Sequence, residues 1–254
     1  MKLERGYALL PRADDVADPW AYVEALAGER PEMVELQPIR PRPDGRSFAS
    51  TSGFTPLHTD SQDYLGVSPG LQIMICRRAA ASGGETRLVD GFALLDRLQR
   101  DDHALYAALT TVPRTHRFYF GDVIGPTVAL KRGHRVWTHS PQPPGDPIGE
   151  ALARELARAP VIELAVKTGE TLLVDNHRML HGRNAFAGAD RHFVRLLAWF
   201  TKRATAEDHR LAVVLELLAG TPPARLAARE GISEAELYAW RTRALAAAKG
   251  ALVP

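Results

Sequence analysis

The sequence predicts a mainly β protein with flanking helices, a jelly-roll-like double-stranded β-helix, followed by a C-terminal helical appendage. Three observations carry this expectation. Short period-two apolar runs punctuated by Gly, Pro, Asn and Asp recur from Phe48 to Val89 and from His116 to Phe200, as strands separated by turns do. Two helical periodicities, Phe92 to Val112 and Ile148 to Ala159, interrupt them. From Ala204 to Pro254 the chain turns to Ala- and Leu-rich helical segments, which sets the expected division at residues 1–203 and 204–254. Periodicity alone fits other strand-rich sandwiches equally well.

In chain order, Tyr7 to Leu10 reads as a short strand. Asp18 is placed to cap a helix with Pro19 at its first position, an apolar stripe of Trp20, Val23 and Leu26, and Gly28 as its stop. The Pro-rich stretch Leu36 to Ser47 reads as a loop or edge strand. Leu71, Ile73 and Ile75 alternate after the turn at Pro69-Gly70, and Gly83-Gly84 marks another turn. Phe92 to Val112 reads as one or two helices, with Asp101 capping the second. Strands are expected at His116 to Gly125 and His134 to His139, an irregular loop at Pro141 to Gly149, and a tight turn at Lys167 to Glu170 between two strands. The second of these strands would carry Asp175 to a loop bearing His181, and Arg191 to Phe200 a largely buried strand.

Composition narrows the class. The 254-residue chain is 45% apolar and 24% charged with a formal net charge of +2, which gives no reason to expect nucleic acid or a membrane surface as partner. A single cysteine, Cys76, forms no intrachain disulfide, and neither a signal-peptide core nor an 18-residue apolar run is present. A soluble, cytoplasmic protein is the expectation.

The chemistry concentrates in two stretches, PLHTDSQDY from Pro56 and LLVDNHRMLHGR from Leu172. Side chains two apart in an extended segment share a face, so His58 and Asp60 stand side by side. His181, far downstream, would complete a set of two histidines and one carboxylate on one face of an octahedral ion, with the remaining positions open, as in non-haem Fe(II) oxygenases. A lone histidine is more often a surface or hydrogen-bonded core residue than a ligand, and His103, His116, His134, His139, His177, His192 and His209 keep that reading.

His58-x-Asp60, Gly83-Gly84-Glu85-Thr86, LVDGF at Leu88 to Phe92, DNHRMLHGR at Asp175 to Arg183 and RHFVR at Arg191 to Arg195 together resemble the TauD/TfdA family of Fe(II)/2-oxoglutarate-dependent dioxygenases, in wording nearest its γ-butyrobetaine-hydroxylase-like and clavaminate-synthase-like branches. The resemblance covers residues 45 to 200 and implies the double-stranded β-helix. It also implies Fe(II) held by His58, Asp60 and His181, with 2-oxoglutarate and O2 as co-substrates. Arg191, ten residues beyond His181, would grip the distal carboxylate of 2-oxoglutarate, helped by the Thr86 hydroxyl. Arg195, on the same strand face, would lie nearer the iron and hold the other carboxylate or an anionic group of the substrate, and the two arginine roles could be exchanged. The bland alternative makes both surface arginines paired with acids. Because the carboxylate ligand is present, hydroxylation or desaturation is favoured over halogenation.

For the small-molecule substrate, Gln62, Asp63, Tyr64 and Arg183 are the candidate contacts, with Ser61 and Phe118 to Phe120. Asp63 and Tyr64 suit an amino-acid-like or amine-bearing substrate, since a carboxylate and an aromatic face both favour a cation. Core packing is the competing role for Tyr64 and Phe118. In the tail, LAAREGISEAELYAWR resembles a helix-turn-helix, with Ser233 capping the second helix in a capping box with Glu236. Residues 204–254 hold six Lys or Arg and six Asp or Glu, without the cationic excess of a phosphate-binding surface. A helical appendage that packs on the barrel or makes a homo-oligomer contact is therefore preferred to a DNA-binding tail. The runner-up remains an oxygen- or 2-oxoglutarate-sensing regulator, and a non-catalytic metal-binding fold comes third.

Overall fold

The structure, a computed structural model, describes residues 3–45, 47–141, 145–200, 206–218 and 220–252. The chain divides into two compact units, Met1–Thr201 and Lys202–Pro254. The expected boundary at 203/204 and residues 142–144 of the expected loop lie outside the described residues.

The first unit begins with β1 (Tyr7–Leu10), α1 (Pro19–Ala27), β2 (Met33–Ile39) and β3 (Thr55–His58). β4 (Leu71–Arg78), β5 (Ser82–Gly83) and β6 (Thr86–Asp90) lead to α2 (Gly91–Asp101) and α3 (His103–Thr111). Then come β7 (Arg114–Phe118), β8 (Gly121–Gly125), β9 (Val128–Lys131), β10 (His134–Trp137) and α4 (Pro147–Arg158). β11 (Ile162–Leu164), β12 (Thr171–Asp175), β13 (Met179–Arg183), β14 (Phe186–Ala187) and β15 (His192–Trp199) complete it. The second unit holds α5 (Ala206–Leu218), α6 (Pro223–Glu230) and α7 (Glu234–Leu252), packed around Val213, Val214, Leu226, Leu237 and Trp240. None of the helices among the described residues is long and apolar enough to cross a membrane.

Two antiparallel sheets dominate the first unit: a five-stranded one in the order β1-β12-β4-β15-β2 and a four-stranded one in the order β11-β6-β13-β3. Their side chains sort by the two-residue period of a strand. Ile73 and Ile75 of β4 join Leu173, Leu196 and Val23 of α1 in one cluster. Cys76, on the opposite face of β4, joins Leu88, Leu172, Val174, Met179 and Phe193 in another, which takes residues from both sheets and ties them together. Helices α2, α3 and α4 bury Leu94, Leu98, Leu109 and Leu152 against Val89, Trp137 and Leu180.

Local chemistry explains most boundaries. Asp18 accepts hydrogen bonds from the Trp20 and Ala21 amides, and Gly28 stops α1 at φ 77°, a left-handed conformation that glycine adopts without a Cβ penalty. The second of the paired helices is capped by Asp102 rather than Asp101, because Asp102 leaves the helical region (φ −146°) and accepts from Leu105, while Asp101 is the last residue of α2. The expected single strand at 116–125 is a hairpin, β7–β8, turning at Tyr119 and Phe120, where Gly121 (φ 132°) rather than an Asn-Gly pair allows the reversal. Of the Pro-rich stretch Leu36 to Ser47, the first part lies in an edge strand that begins earlier, at Met33, and ends at Ile39, with Pro38 opposite Val194, and the described residues after it are not strand. The turn at Lys167 to Glu170 connects strands of different sheets, and His181 lies on strand β13 rather than in a loop.

The β13–β3 pairing sets the centre of the molecule. His181 is opposite His58 and Arg183 opposite Thr55, so three residue steps on β3 match two on β13 and the register shifts between them. Such a bulge re-aims side chains. Gly182 lies inside it, and a Cβ there would meet the Thr55 carbonyl oxygen at 2.6 Å and the Pro56 carbonyl at 3.1 Å. Gly182→Ala should therefore push β3 away and destabilise the fold by about 1–3 kcal/mol, read as a lower urea midpoint; an unchanged midpoint would contradict the close approach.

Candidate active site

His58 ends β3, Asp60 follows two residues later and His181 sits in the middle of β13; all are buried, and one ligand atom from each lies within 4.8 Å of the others. The two imidazole rings are 4.4 Å apart between centroids, and His181 Nε2 is 3.7 Å from Asp60 Oδ2. His58 Nδ1 lies 2.9 Å from the Pro56 carbonyl oxygen, an acceptor only, so that nitrogen carries the proton and Nε2 keeps its lone pair. Asp60 is fixed through its backbone by Asn176, whose side chain accepts from the Asp60 amide at 2.9 Å and donates to the Asp60 carbonyl and the Pro69 carbonyl at 2.7 Å each. Thr59, between the ligands, exchanges backbone and hydroxyl hydrogen bonds with His139.

The electrostatics suit cation binding. Burial lowers the pKa of His58 below its ordinary 6.5 and, with the adjacent His58, takes that of His181 to about 3, so both rings are neutral lone-pair donors. For Asp60, burial pushes upward, but Arg195 first, then the two imidazoles and Gln72, hold it below the ordinary carboxylate value. Arg195 Nη1 is 3.2 Å from both Asp60 oxygens and its Nη2 donates to Gln37 Oε1 at 2.6 Å, while Gln72 Nε2 donates to Asp60 Oδ2 at 2.6 Å.

Two cavities meet at this cluster. The smaller, about 70 Å³, is lined by Thr86, Arg183, Arg191 and Arg195 beside His58 and His181. Arg191 is buried at 4% exposure, and among the described residues it makes no hydrogen bond or ion pair; its guanidinium stands over Phe193 at 4.1 Å and Phe186 at 5.1 Å. Burial lowers its pKa to about 10, so it stays cationic at neutral pH. The larger cavity, about 360 Å³, is lined by His58, Asp60 and Arg195 together with Glu35, Gln37, Gln62, Tyr64, Arg117 and Phe118 to Phe120.

Of the substrate candidates, Gln62 and Tyr64 line the larger cavity, Tyr64 at 55% exposure and stacked on Trp199 rather than packed into the core. Asp63 does not line it: its carboxylate pairs with Lys131 at 2.9 Å. Arg183 is committed to the Phe48, Thr51 and Gly53 carbonyls and lines the smaller cavity instead. Sequence reasoning missed Gln72, Asn176, Gln37 and Glu35. The available signals were a glutamine inside the apolar run of β4 and an asparagine beside the histidine stretch, both buried polar groups that need partners.

The profile of the family described as taurine catabolism dioxygenase TauD, TfdA family matches residues 21–151 and 142–197. The chain belongs to the TauD/TfdA family. It is 29% identical over 176 residues to gamma-butyrobetaine dioxygenase of Pseudomonas sp. (strain AK-1), covering 61% of this chain and 46% of that protein. It is 29% identical over 157 residues to mitochondrial trimethyllysine dioxygenase of Gallus gallus, covering 52% and 37%. This TauD/TfdA chain thus spans about half the length, or less, of the curated relatives it matches. Among solved structures, non-heme iron oxygenase OrfP in complex with Fe, succinate and (3S)-hydroxy-L-Arg shares the fold with a TM-score of 0.56 at 13% identity, over 79% of this chain and 80% of that one.

The depressed histidine pKa values make a prediction with a definite sign. His181 and His139 have folded-state pKa values of about 3, below the unfolded 6.5, so their neutral forms stabilise the fold fully above pH 6.5 and less as pH falls toward 3. Metal-free protein should lose on the order of 2 kcal/mol per histidine between pH 7 and pH 5, measured by urea denaturation. Equal stability at the two pH values would contradict the buried neutral rings.

Proposed function

We propose that the chain is a non-haem Fe(II)- and 2-oxoglutarate-dependent oxygenase that hydroxylates or desaturates a small amino-acid-like or amine-bearing molecule. The observation that carries this reading is a buried His-His-Asp cluster opening onto a cavity that contains a buried guanidinium without an acidic partner among the described residues. The donor set fits iron: two neutral imidazoles and one ionised carboxylate on one side leave the other side open. The second requirement, a carboxylate-binding end for 2-oxoglutarate, fits Arg191 and Thr86. Both relatives are named dioxygenases, and OrfP was solved with Fe and succinate.

In this reading His58, Asp60 and His181 hold the metal, Arg191 takes the distal carboxylate of 2-oxoglutarate, and Thr86 adds a hydroxyl. The chemistry supplied by that assembly when bound is oxidation of a C–H bond coupled to conversion of 2-oxoglutarate and O2 into succinate and CO2. Around it, the Pro56 carbonyl orients the His58 ring and Asn176 holds the Asp60 backbone. Arg195 keeps Asp60 ionised and presents its guanidinium to the larger cavity, where an anionic group of the substrate can meet it. Gln62, Tyr64 and the aromatic hairpin tip then close around the substrate's carbon chain and exclude water.

The order in which consecutive strands pass between the two sheets supports a double-stranded β-helix for the oxygenase part, residues 1–203. The helical part, residues 204–254, is read as a helix-turn-helix-like appendage for packing or self-association. Its Arg229, a cation that phosphate binding would need, is paired with Glu216 at 2.8 Å and with Glu230 at 2.6 Å.

Anaerobic titration of the Fe(II)-loaded protein with 2-oxoglutarate should produce the weak visible charge-transfer band of a chelated 2-oxo acid. His181→Ala should abolish it. Arg191→Ala should leave iron binding intact and weaken 2-oxoglutarate by about 10–100-fold. A folded, iron-loaded protein that gives no band sinks the reading.

A further inference from the structure

A third cavity, about 360 Å³, lies between β3 and α4, on the face of the four-stranded sheet turned away from the His-His-Asp cluster. We propose that it is a second ligand site, for a small molecule with an apolar aliphatic or aryl body and a single carboxylate. The assignment stands apart from the oxygenase reading and uses none of the residues assigned to iron, 2-oxoglutarate or substrate.

Strand alternation separates the two faces. Thr86 lines the smaller cavity beside the cluster, so its neighbour Arg87 is turned to the opposite face, where it lines the third cavity. Across the sheet Arg87 is flanked by Glu163 on β11 and Gly182 on β13. Gly182 offers it no side chain, and the half-exposed Glu163 carboxylate comes only to 3.4 Å from Nε. A guanidinium is a planar fork of N–H donors. Among the described residues the Arg87 side chain makes no hydrogen bond, and its Nε is buried. Its other neighbour is the ring of Phe54, 5.2 Å from the guanidinium carbon, itself on the cavity wall.

The remaining wall is apolar and already in place. Ala153 and Ala157, four apart on one face of α4, stand across from Phe54 and Leu57, and their small side chains leave room between helix and strand. His139 lines the same cavity at 5% exposure, and its Nδ1 is a buried nitrogen without a hydrogen-bond partner among the described residues. The backbone of His139 is clasped by Thr59 through bonds of 2.9 and 3.0 Å, which fixes that wall. Small-molecule sites span about 300–1,000 Å³ and combine such an apolar lining with a few polar groups. An apolar body displaces water from the Phe54, Leu57 and alanine surfaces. A neutral ligand would cover the Arg87 donors and leave them unpaired, whereas a carboxylate fills them with charge-assisted hydrogen bonds. One guanidinium, with Glu150 also on the wall, suits a single negative charge rather than two.

The test is isothermal titration of the full chain, first without added metal and then with saturating Fe(II) and 2-oxoglutarate under nitrogen. The probes are octanoate and 4-phenylbutanoate, each beside its primary amide. At least one acid should bind about tenfold or more tightly than its amide, with or without Fe(II) and 2-oxoglutarate. Arg87→Gln should remove that preference, and Ala153→Phe, which fills the cavity from an exposed position, should weaken the acid by about tenfold or more. Arg195→Gln, altering the cavity on the other face, should change acid binding by less than about twofold. Binding of neither acid, equal binding of acid and amide, an undiminished preference in Arg87→Gln, or loss of acid binding in Arg195→Gln overturns the assignment. Self-association of the ligand-free chain that Ala153→Phe abolishes would also overturn it, by giving the groove to a second copy. None of these readouts needs the chelate band, so failure here and failure of the oxygenase reading are separate results.

Discussion

Two strands paired antiparallel place His181 directly across from His58, and the rest of the molecule is arranged to keep that register. A slip by one residue would turn one imidazole to the opposite face of the sheet, because side chains alternate. The bulge at Gly182 absorbs the extra residue on β3, so Thr55 and His58 both reach the same cavity. Asp60 lies beyond the end of the strand, where no ladder fixes it. Asn176 does that work instead, binding the amide and carbonyl of Asp60 as a neighbouring strand would. The third member of the cluster is thus positioned by a side chain imitating a backbone.

Three arginines border the smaller cavity, and each is satisfied differently. Arg183 donates to backbone carbonyls and fixes the segment from Phe48 to Gly53. Arg195 is held between Asp60 and Gln37. Among the described residues, Arg191 has only the faces of Phe186 and Phe193. Removing an ion from water costs several kcal/mol even after relaxation, and aromatic faces return only about 1–2 kcal/mol of that. Burying Arg191 in this way costs stability, and the proposed oxygenase function gives that cost a use, as the place where an acidic co-substrate would pair.

Much of this was legible in the chain. His58, Asp60 and His181 could be grouped because period-two geometry sets the first two side by side and the flanking motifs supplied the third. Strand boundaries with clear punctuation, such as Tyr7–Leu10 and the strand after Gly70, follow from local residues alone. Where the reading stopped, the determinant was long-range. Asp63 looked suited to a cationic ligand until Lys131, distant in sequence, was seen to reach it. Glu35 and Gln37 drew no notice because nothing in a Pro-containing edge segment tells which face meets a cavity; pairing with β15 decides that. The β7–β8 hairpin was hidden because its turn uses aromatic residues and one glycine in place of the usual turn pair.

The position of β2 has a further consequence. It is the outermost strand of its sheet, hydrogen-bonded to β15 on one side only, and Pro38 lacks the amide that a foreign strand would need for docking there. A wall supported from one side tolerates altered side chains with little cost to folding. Change in what the chamber accepts can therefore accumulate along β2 while β13, which carries His181 and is hydrogen-bonded to β6 and β3 on its two flanks, stays as it is, which makes this margin the natural place for diversification and for redesign.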